Sequence, residues 1–213
     1  MGDDYRIEVL GEHHVNQIRS FTCTGDYTAE LVEFIRTEAL SEHAHALSTS
    51  FVVFSEDDKE IDAYVTLSAT SIKMSESARS RLQAGRSRPQ IPAVMMDYIA
   101  ISDGGRSRRG RGFGLALFEW VKQRVHQVNA TAGVRIIGLE VRAGNWRAYQ
   151  RYSSPEWGFR PLYLQENKAK EWPGMQAPDA RRPSRPPEVH PDRYIKMYYD
   201  LVEHYGVYLP PEE

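Results

Sequence analysis

The first third of the chain carries apolar residues at both strand and helix spacing. Tyr5 to Leu10 alternates between apolar and polar residues, as a short half-buried strand does. Further on, Leu31, Phe34 and Ile35 form one apolar stripe at helical spacing, and Asp26 is placed to cap that helix. These patterns predict a first strand followed by a helix that packs one face on a core.

The next segment predicts a hairpin. Phe51 to Phe54 is a short apolar run, and Glu56 to Glu60 is a charged turn. From Ile61 to Ala69, apolar residues alternate with polar ones at a period of two, which favours an antiparallel hairpin with one face on the core. The polar run from Met74 to Pro89 follows. Its arginines fit either a solvated face or a patch for a phosphate-rich substrate.

The middle of the chain predicts a strand, a glycine turn, a long helix and another strand. Pro92 to Ser102 is largely apolar, and Asp103-Gly104-Gly105 lengthens its connection to the turn Arg109 to Gly114. Leu115 to Val128 then has apolar residues at helical spacing. Val134 to Val141 is nearly unbroken apolar sequence, which is typical of a strand covered on both faces.

Glycines at alternate positions, Gly110, Gly112 and Gly114, make this turn a candidate anion site. Without side chains the backbone can pass close to a ligand and point its N–H groups at it. The helix that follows adds its unpaired N-terminal N–H groups and the positive end of its dipole, and phosphate or pyrophosphate is the usual ligand. The same turn carries four arginines that favour an anion as the ligand: Arg106, Arg108, Arg109 and Arg111. The alternative is a tight glycine turn whose arginines are simply solvated.

Two common phosphate-binding loops match this turn poorly. A P-loop ends in Gly-Lys-Ser or Gly-Lys-Thr, whereas this run ends Gly112-Phe113-Gly114-Leu115. A dinucleotide-binding fingerprint follows an early strand of a βαβ unit and has an acidic residue about 20 residues later. Here the turn lies in mid-chain, after a hairpin.

The last third predicts a short helix and two strands separated by a long loop. Asn145 to Tyr152 has helical spacing, and Phe159 to Leu164 has the composition of a strand. Glu166 to Asp192 is rich in Pro, Arg and Lys and lacks periodicity, so it predicts a loop. Tyr194 to Leu201 could be a helix or, from its β-rich alternation, a strand, and we favour a final strand there.

Composition is that of a globular protein with one domain. The 213 residues are 41% apolar and 26% charged, and a chain of this length can bury a substantial core. The formal charge of -2 means that any nucleic-acid contact must come from a local patch. Cys23 is the only cysteine, which fits a reducing compartment and a buried apolar role. Met1 to Asp4 lacks an apolar signal core, and no run reaches about 18 apolar residues, so we expect a cytoplasmic protein without membrane contact.

The histidines do not predict a metal site. His13 and His14 are adjacent, so their side chains should point in different directions. His43 and His45 are two residues apart, and on a helix they diverge as well. We therefore expect no metal ion in the chemistry.

The glycine turn resembles the acyl-CoA loop of the GNAT N-acetyltransferases, which has the pattern Arg-x-x-Gly-x-Gly between a strand and a helix. Here Arg109, Gly112 and Gly114 occupy that pattern. A second match lies downstream and resembles the segment that closes the family's active site: Leu139-Glu140-Val141 followed by Asn145, Ala148, Tyr152 and Gly158-Phe159. Two matches in the correct order are far more specific than either alone.

The resemblance implies an α/β fold with a mixed, mostly antiparallel, twisted sheet flanked by helices. Residues 1–213 would form a single N-acetyltransferase domain, with the Pro/Arg-rich loop at about 165–192 as an insertion. The implied activity is transfer of an acetyl group from acetyl-CoA, as cosubstrate, to a primary amine by direct attack in a ternary complex. The implied mechanism uses no metal.

The resemblance also implies roles for individual residues. Tyr152 occupies the place of the tyrosine that protonates the departing CoA thiolate. A phenol with a pKa of about 10 holds its proton at neutral pH and can give it to a thiolate. The amine must lose a proton, and Asp97 or Glu140 could accept it directly or through water. The residues implied to bind acetyl-CoA are Ile99, Ala100 and Ile101 in the strand, Arg109, Gly110, Arg111, Gly112, Phe113 and Gly114 in the turn, and Asn145.

The acceptor amine is open between a small molecule and a macromolecule. Phe21-Thr22-Cys23, the predicted helix with Leu31 and Phe34, and the strand from Ala63 to Ser71 resemble the toxin branch of the family, which acetylates aminoacyl-tRNA. Asp97-Tyr98 stands where that branch has Gly-Arg. With tRNA as the acceptor, the protein is a toxin; a homodimer is compatible with either activity. A further alternative is an acyl-CoA-binding module without turnover.

Overall fold

The computed structural model describes residues 6–55, 59–74, 79–80, 82, 90–110, 112–142, 144–161 and 194–205. Its main helices are a 3-10 turn (Glu12–His14), α1 (Val15–Ser20), α2 (Ala29–Thr37), α3 (Ala39–Ala44), α4 (Asp103–Arg109), α5 (Phe113–Ala132), α6 (Trp146–Tyr152) and α7 (Leu201–Tyr205). Its strands are β1 (Ile7–Val9), β2 (Thr49–Phe54), β3 (Ile61–Lys73), β4 (Gln90–Ile101), β5 (Ile136–Arg142), β6 (Arg160–Pro161) and β7 (Tyr194–Asp200). The predicted insertion at 165–192 and Arg111 lie outside the described residues.

The described strands form one seven-stranded sheet in the order β1-β2-β3-β4-β5-β7-β6. The pairs β1–β2, β2–β3, β5–β7 and β6–β7 are antiparallel. The predicted α/β fold with a mostly antiparallel sheet and flanking helices is therefore confirmed. The predicted final strand is confirmed from Tyr194 to Asp200, while Leu201 already begins α7. Among the described helices, none combines the length and apolar character that a membrane-spanning segment requires.

The chain packs as two compact units, and the first comprises Met1–Ala69 and Met95–Arg124. Its core draws residues from α1, α2 and α3 and from strands β2, β3 and β4, among them Ile18, Phe34, Ala39, Val52, Ile61 and Ala100. The predicted apolar stripe of α2 is confirmed, because Phe34 and Ile35 are buried in this cluster and Leu31 packs against it.

The hairpin of β2 and β3 is confirmed, but the prediction that it buries only one face is wrong. Asp62, Tyr64 and Thr66 were expected to face solvent, and all three are buried. Each polar group has a partner. The Tyr64 hydroxyl donates to the carbonyl of Leu31 at 2.6 Å, and the Thr66 hydroxyl lies 2.7 Å from that of Ser50. Polar residues can occupy buried strand positions when their hydrogen bonds are made within the protein.

Two helix starts also differ from the prediction. α2 is preceded by Thr28 instead of being capped by Asp26, because the chain turns between them with Tyr27 at a φ of 63°. The long helix α5 begins at Phe113 instead of Leu115. The second change shortens the glycine turn at its C-terminal end.

The second unit comprises Thr70–Val94 and Val125–Glu213. Its core cluster contains Met74, Leu82, Ile91, Ala93, Ile136 and Tyr198. Strand β5 is covered on both faces as predicted, since Ile136, Ile137 and Leu139 are all buried. Such a strand has few polar positions, which is why its sequence is almost continuously apolar.

His14 is buried at the start of α1 with a fixed tautomer. The backbone N–H of Gly11 donates to His14 Nδ1 at 3.0 Å, so a neutral ring carries its proton on Nε2. That nitrogen lies 3.4 Å from a carboxylate oxygen of Glu8. Burial, and then the neighbouring His13, lower the pKa of His14, while the hydrogen bond from Arg6 lowers the pKa of Glu8.

The lowered pKa of His14 predicts a loss of stability in mild acid. Because the folded pKa lies below the unfolded value of about 6.5, the unfolded chain binds more protons, and the free energy of unfolding falls as the pH drops below about 6.5. His14→Asn keeps an acceptor near the Nδ1 position without titrating. Urea unfolding at about pH 7.5 and pH 5.5 should show a smaller loss in His14→Asn than in the wild type. Equal losses in the two proteins would contradict the assignment, and His13→Asn is the control at an exposed neighbour.

Candidate functional site

The glycine turn does not follow its strand directly, because helix α4 lies between β4 and the turn. The Ser102 hydroxyl caps α4 by accepting a hydrogen bond from the Gly105 N–H at 2.9 Å. The pair Gly104-Gly105 suggested a loop, since glycine disfavours helices. Gly105 is nevertheless required here, because a Cβ at this position would overlap the carbonyl oxygen of Asp62.

The turn itself has the backbone that its glycines predict. Gly110 has a φ of 69° and Gly112 a φ of 95°, both in the left-handed region that favours glycine. A Cβ built at either residue would meet no described atom within 4 Å, so the space beside the turn is open. Helix α5 begins immediately afterwards at the buried Phe113. An open glycine turn at the start of a long helix is the geometry of an anion site.

Two arginines of the turn region point inward, contrary to the expectation that they face an anion. Arg108 donates to Asp62 Oδ1 at 2.9 Å from Nε and 2.5 Å from Nη2. Arg109 donates from Nε to Asp62 Oδ2 at 2.8 Å and from Nη2 to the carbonyl of Phe54 at 2.9 Å. These guanidinium groups neutralise a buried carboxylate. The described part of the turn therefore offers an anion its backbone N–H groups, while Arg111 lies outside the described residues.

Arg106 has an internal role as well. It donates to the carbonyl of Thr24 at 2.9 Å and to Cys23 Sγ at 3.2 Å. Asp103 accepts from the Thr24 N–H at 3.0 Å and the Thr24 hydroxyl at 2.8 Å, and these bonds, the backbone one first, lower its pKa. Burial raises the pKa of the Cys23 thiol, so the expected buried apolar role of this cysteine is confirmed.

The predicted residues of β4 lie in the first unit with the turn. Asp97 is exposed and Ile99 and Ile101 are partly buried on the same face, since strand side chains alternate. Ala100 points the other way, into the core of the first unit. Any contact of Ala100 with a ligand therefore involves its backbone.

Glu140 and Asn145 lie in the second unit. Glu140 stands opposite Lys196 in the β5–β7 register, and the Lys196 ammonium lies 2.8 Å from Oε1 of Glu140. Asn145 caps α6, because its side-chain oxygen accepts from the Ala148 N–H at 3.1 Å. Both side chains thus have a structural partner that the sequence motif did not show.

Tyr152 is the last residue of α6, also in the second unit, and lies among aromatic rings. Its ring centroid is 5.0 Å from that of Trp157 and 6.0 Å from that of Phe159, both in edge-to-face geometry. The residue is half-buried, and burial raises the pKa of its phenol. Tyr149, one turn earlier, is fully buried and stacks on Trp146, and burial raises its pKa to about 12.

Glu8, His13 and His14 come together in the first unit, so the prediction that the two histidines diverge is wrong. Their ring centroids are 3.7 Å apart, and one ligand atom of each of the three residues lies within 4.8 Å of the others. The set nevertheless fits a metal poorly. Metal binding through Nε2 of His14 needs a proton on Nδ1, where the Gly11 N–H already points. Glu8 is also bound by Arg6 at 2.6 Å.

The fold is GNAT-like, as the two sequence motifs predicted, although no family model matches the chain. Solved structures that share the fold include AtaT complexed with acetyl-methionyl-tRNAfMet, with a TM-score of 0.65 and 17% identity, covering 94% of this chain and 96% of that chain. A tyrosine-to-phenylalanine mutant of KacT has a TM-score of 0.64 and 17% identity, covering 94% and 97%. AtaTR bound with AcCoA has a TM-score of 0.61 and 19% identity, covering 94% of this chain and 96% of that chain. At these identities the likeness establishes the fold alone.

Substitution at the turn tests its role in binding. Gly112→Val places a branched side chain in the open space beside the turn, so acetyl-CoA affinity should fall at least about tenfold, or about 1.4 kcal/mol. Gly133→Val is the matched control, because Gly133 also has a positive φ of 63° and open space, and shares only the backbone strain. Calorimetry should show normal affinity in the Gly133 variant. Unchanged affinity in a folded Gly112→Val variant would rule out the turn as the binding site.

Proposed function

We propose that the protein is an N-acetyltransferase that moves the acetyl group of acetyl-CoA to a primary amine by direct attack in a ternary complex. The observation that carries this proposal is an open glycine turn at the start of α5, within a fold that AtaTR bound with AcCoA shares over 94% of this chain. Tyr152, at the end of α6, supplies an acid of the required kind.

Binding of acetyl-CoA depends on the backbone. The N–H groups of Gly112, Phe113 and Gly114, at the positive end of the α5 dipole, bind the diphosphate. Backbone groups from Ile99 to Ile101 bind the pantetheine arm. The guanidinium of Arg109 remains on Asp62, so its positive charge stabilises the turn from within.

The reaction moves two protons. The neutral amine attacks the acetyl carbonyl carbon, a C–N bond forms, and the C–S bond breaks with its electron pair going to sulfur. Tyr152 gives its phenolic proton to the CoA thiolate. Burial raises the pKa of the phenol, so Tyr152 still holds its proton at neutral pH when the thiolate forms.

The amine proton leaves to a base before the amide is complete. Asp97 and Glu140 are the two carboxylates proposed for this step, acting directly or through water. The Glu140 carboxylate is engaged by Lys196 at 2.8 Å, so it can accept a proton only when that ion pair opens. Asp97 is exposed on β4.

The amino group of an aminoacyl-tRNA is the proposed acceptor, because AtaT complexed with acetyl-methionyl-tRNAfMet shares this fold. AtaT has also been solved with the C-terminus of its antitoxin AtaR, so an antitoxin of this kind is a proposed partner. A homodimer in the cytoplasm is the proposed state of the protein. The overall charge of -2 requires tRNA to be bound by a local basic patch.

A thiol-release assay with several acceptors tests both the acetyltransferase activity and the identity of the acceptor. Acetyl-CoA should be consumed with aminoacyl-tRNA, and faster than with free amino acids, peptides or uncharged tRNA. Consumption with small amines alone would retain the acetyltransferase and exclude the tRNA acceptor. Bound CoA in native mass spectrometry with no release by any acceptor would instead indicate a binding module without turnover.

Tyr152→Phe tests the proposed acid. The ring and its aromatic contacts remain while the proton donor is lost, so acetyl-CoA binding should persist and kcat should fall about 10²- to 10⁴-fold. Tyr149→Phe, on the same helix but fully buried, should leave kcat unchanged. Since burial raises the pKa of Tyr152, the wild-type kcat should not decline between about pH 7 and pH 9.5 through loss of this proton. A Tyr152→Phe variant with wild-type kcat, measured where chemistry limits turnover, would remove the residue from the mechanism.

A further inference from the structure

Asp62 stands at the second position of β3, where the strand pattern predicts solvent, yet its side chain is 0% exposed. A carboxylate is costly to bury unless it is both paired and fully hydrogen-bonded. Replacing such a group by an apolar residue often leaves a protein as stable as before. Stability alone therefore gives a weak reason for an aspartate at this position.

The contacts of Asp62 connect it to both ends of α4. At the start of that helix, the Ser102 N–H donates to the Asp62 carbonyl at 2.8 Å, and Gly105 packs against the same backbone. At its end, the Asp62 carboxylate accepts three N–H bonds from Arg108 and Arg109. A single residue of β3 therefore contacts both ends of α4.

The glycine turn begins directly after the second of these arginines. Only residues 110–112 separate Arg109 from Phe113, the buried first residue of α5. The guanidinium carbon of Arg109 lies 6.0 Å from the centroid of the Phe113 ring, so the two ends of the turn also contact each other. Contacts within the protein therefore hold both ends of the turn, and Gly110 and Gly112 between them have positive φ angles.

We propose that Asp62 is a positioning residue for the diphosphate of acetyl-CoA. It holds the turn in its binding conformation through Arg109, and it keeps that guanidinium inside the protein so that backbone N–H groups face the ligand. Preorganised donors bind more tightly because no ordering free energy is lost on binding. This inference deepens the proposed function and rests on it.

A second buried aspartate provides a matched control. Asp200 is 4% exposed and accepts from Arg135 at 3.1 Å (Nε) and 2.9 Å (Nη2), and from the Val202 N–H at 3.0 Å. It belongs to the second unit, whereas the turn belongs to the first. Asp200→Asn therefore removes a comparable buried ion pair that has no bond to α4 or the turn.

The experiment compares two acyl donors. Acetyl-CoA carries the diphosphate, and acetyl-pantetheine lacks it. In Asp62→Asn the KM for acetyl-CoA should rise about tenfold or more with kcat within about twofold of the wild type, and calorimetry should show the same loss of acetyl-CoA affinity. The kcat/KM for acetyl-pantetheine should be unchanged. Asp200→Asn should lower the Tm to a similar extent and leave both donors unaffected.

Several outcomes would overturn the inference. These are a wild-type KM for acetyl-CoA in Asp62→Asn, an equal loss with both donors, or an equal rise of KM in Asp200→Asn. If Asp62→Asn does not fold, Arg109→Gln decides, because it removes the bond to Asp62 on which the inference rests while Asp62 stays paired with Arg108, and it should raise only the acetyl-CoA KM. If the wild-type protein does not bind acetyl-CoA, that result contradicts the proposed function itself and is distinguishable from any effect of the variants.

Discussion

The bond between a buried carboxylate of β3 and two consecutive arginines is the constraint on which the first unit depends. Asp62 draws Arg108 and Arg109 inward, and this fixes where α4 ends and where the glycine turn begins. The start of α5 follows from the same contact, because Phe113 is buried only a turn away. Because the two arginines bind Asp62 inside the protein, the backbone of the glycine turn is the part that faces outward. The proposed anion site would use that backbone, with Arg108 and Arg109 on its inner side.

Local signals account for what the sequence predicted correctly. The strand β3, the apolar run of β5 and the glycines of the turn each depend on neighbours a few residues away, and all three were found, although β3 buries both faces where one was predicted. The inward direction of Arg108 and Arg109 depends on Asp62, which is 46 and 47 residues away in sequence. Helix α4 was missed for the same reason, since Gly105 is favourable there only because of a distant backbone. A cluster of arginines beside glycines indicates an anion site in sequence. That Arg108 and Arg109 bind Asp62 is visible only in three dimensions.

Tyr152 ends a short helix, α6, that has stabilising contacts at its start, in its middle and at its end. Asn145 caps α6, Tyr149 anchors it in the core of the second unit, and Trp157 and Phe159 enclose the ring at its end. Tyr149 and Tyr152 are one turn apart and differ in exposure, because Tyr149 is buried and Tyr152 is half-buried. The sequence spacing predicted that both are aromatic residues on a helix, but it did not predict that their exposure differs.

The position of β7 in the sheet has a consequence for how the protein is made. β7 is the last strand in sequence, yet it lies between β5 and β6 and pairs with β5 along seven residues. β6 pairs with β7, and Phe159, which contacts Tyr152, has Tyr199 of β7 as a neighbour with ring centroids 5.9 Å apart. While the chain is still emerging from the ribosome, the second unit therefore lacks the strand that joins its two earlier ones. The surroundings of Tyr152 are completed only after synthesis has passed residue 200, so the nascent chain goes through most of its translation before those surroundings exist.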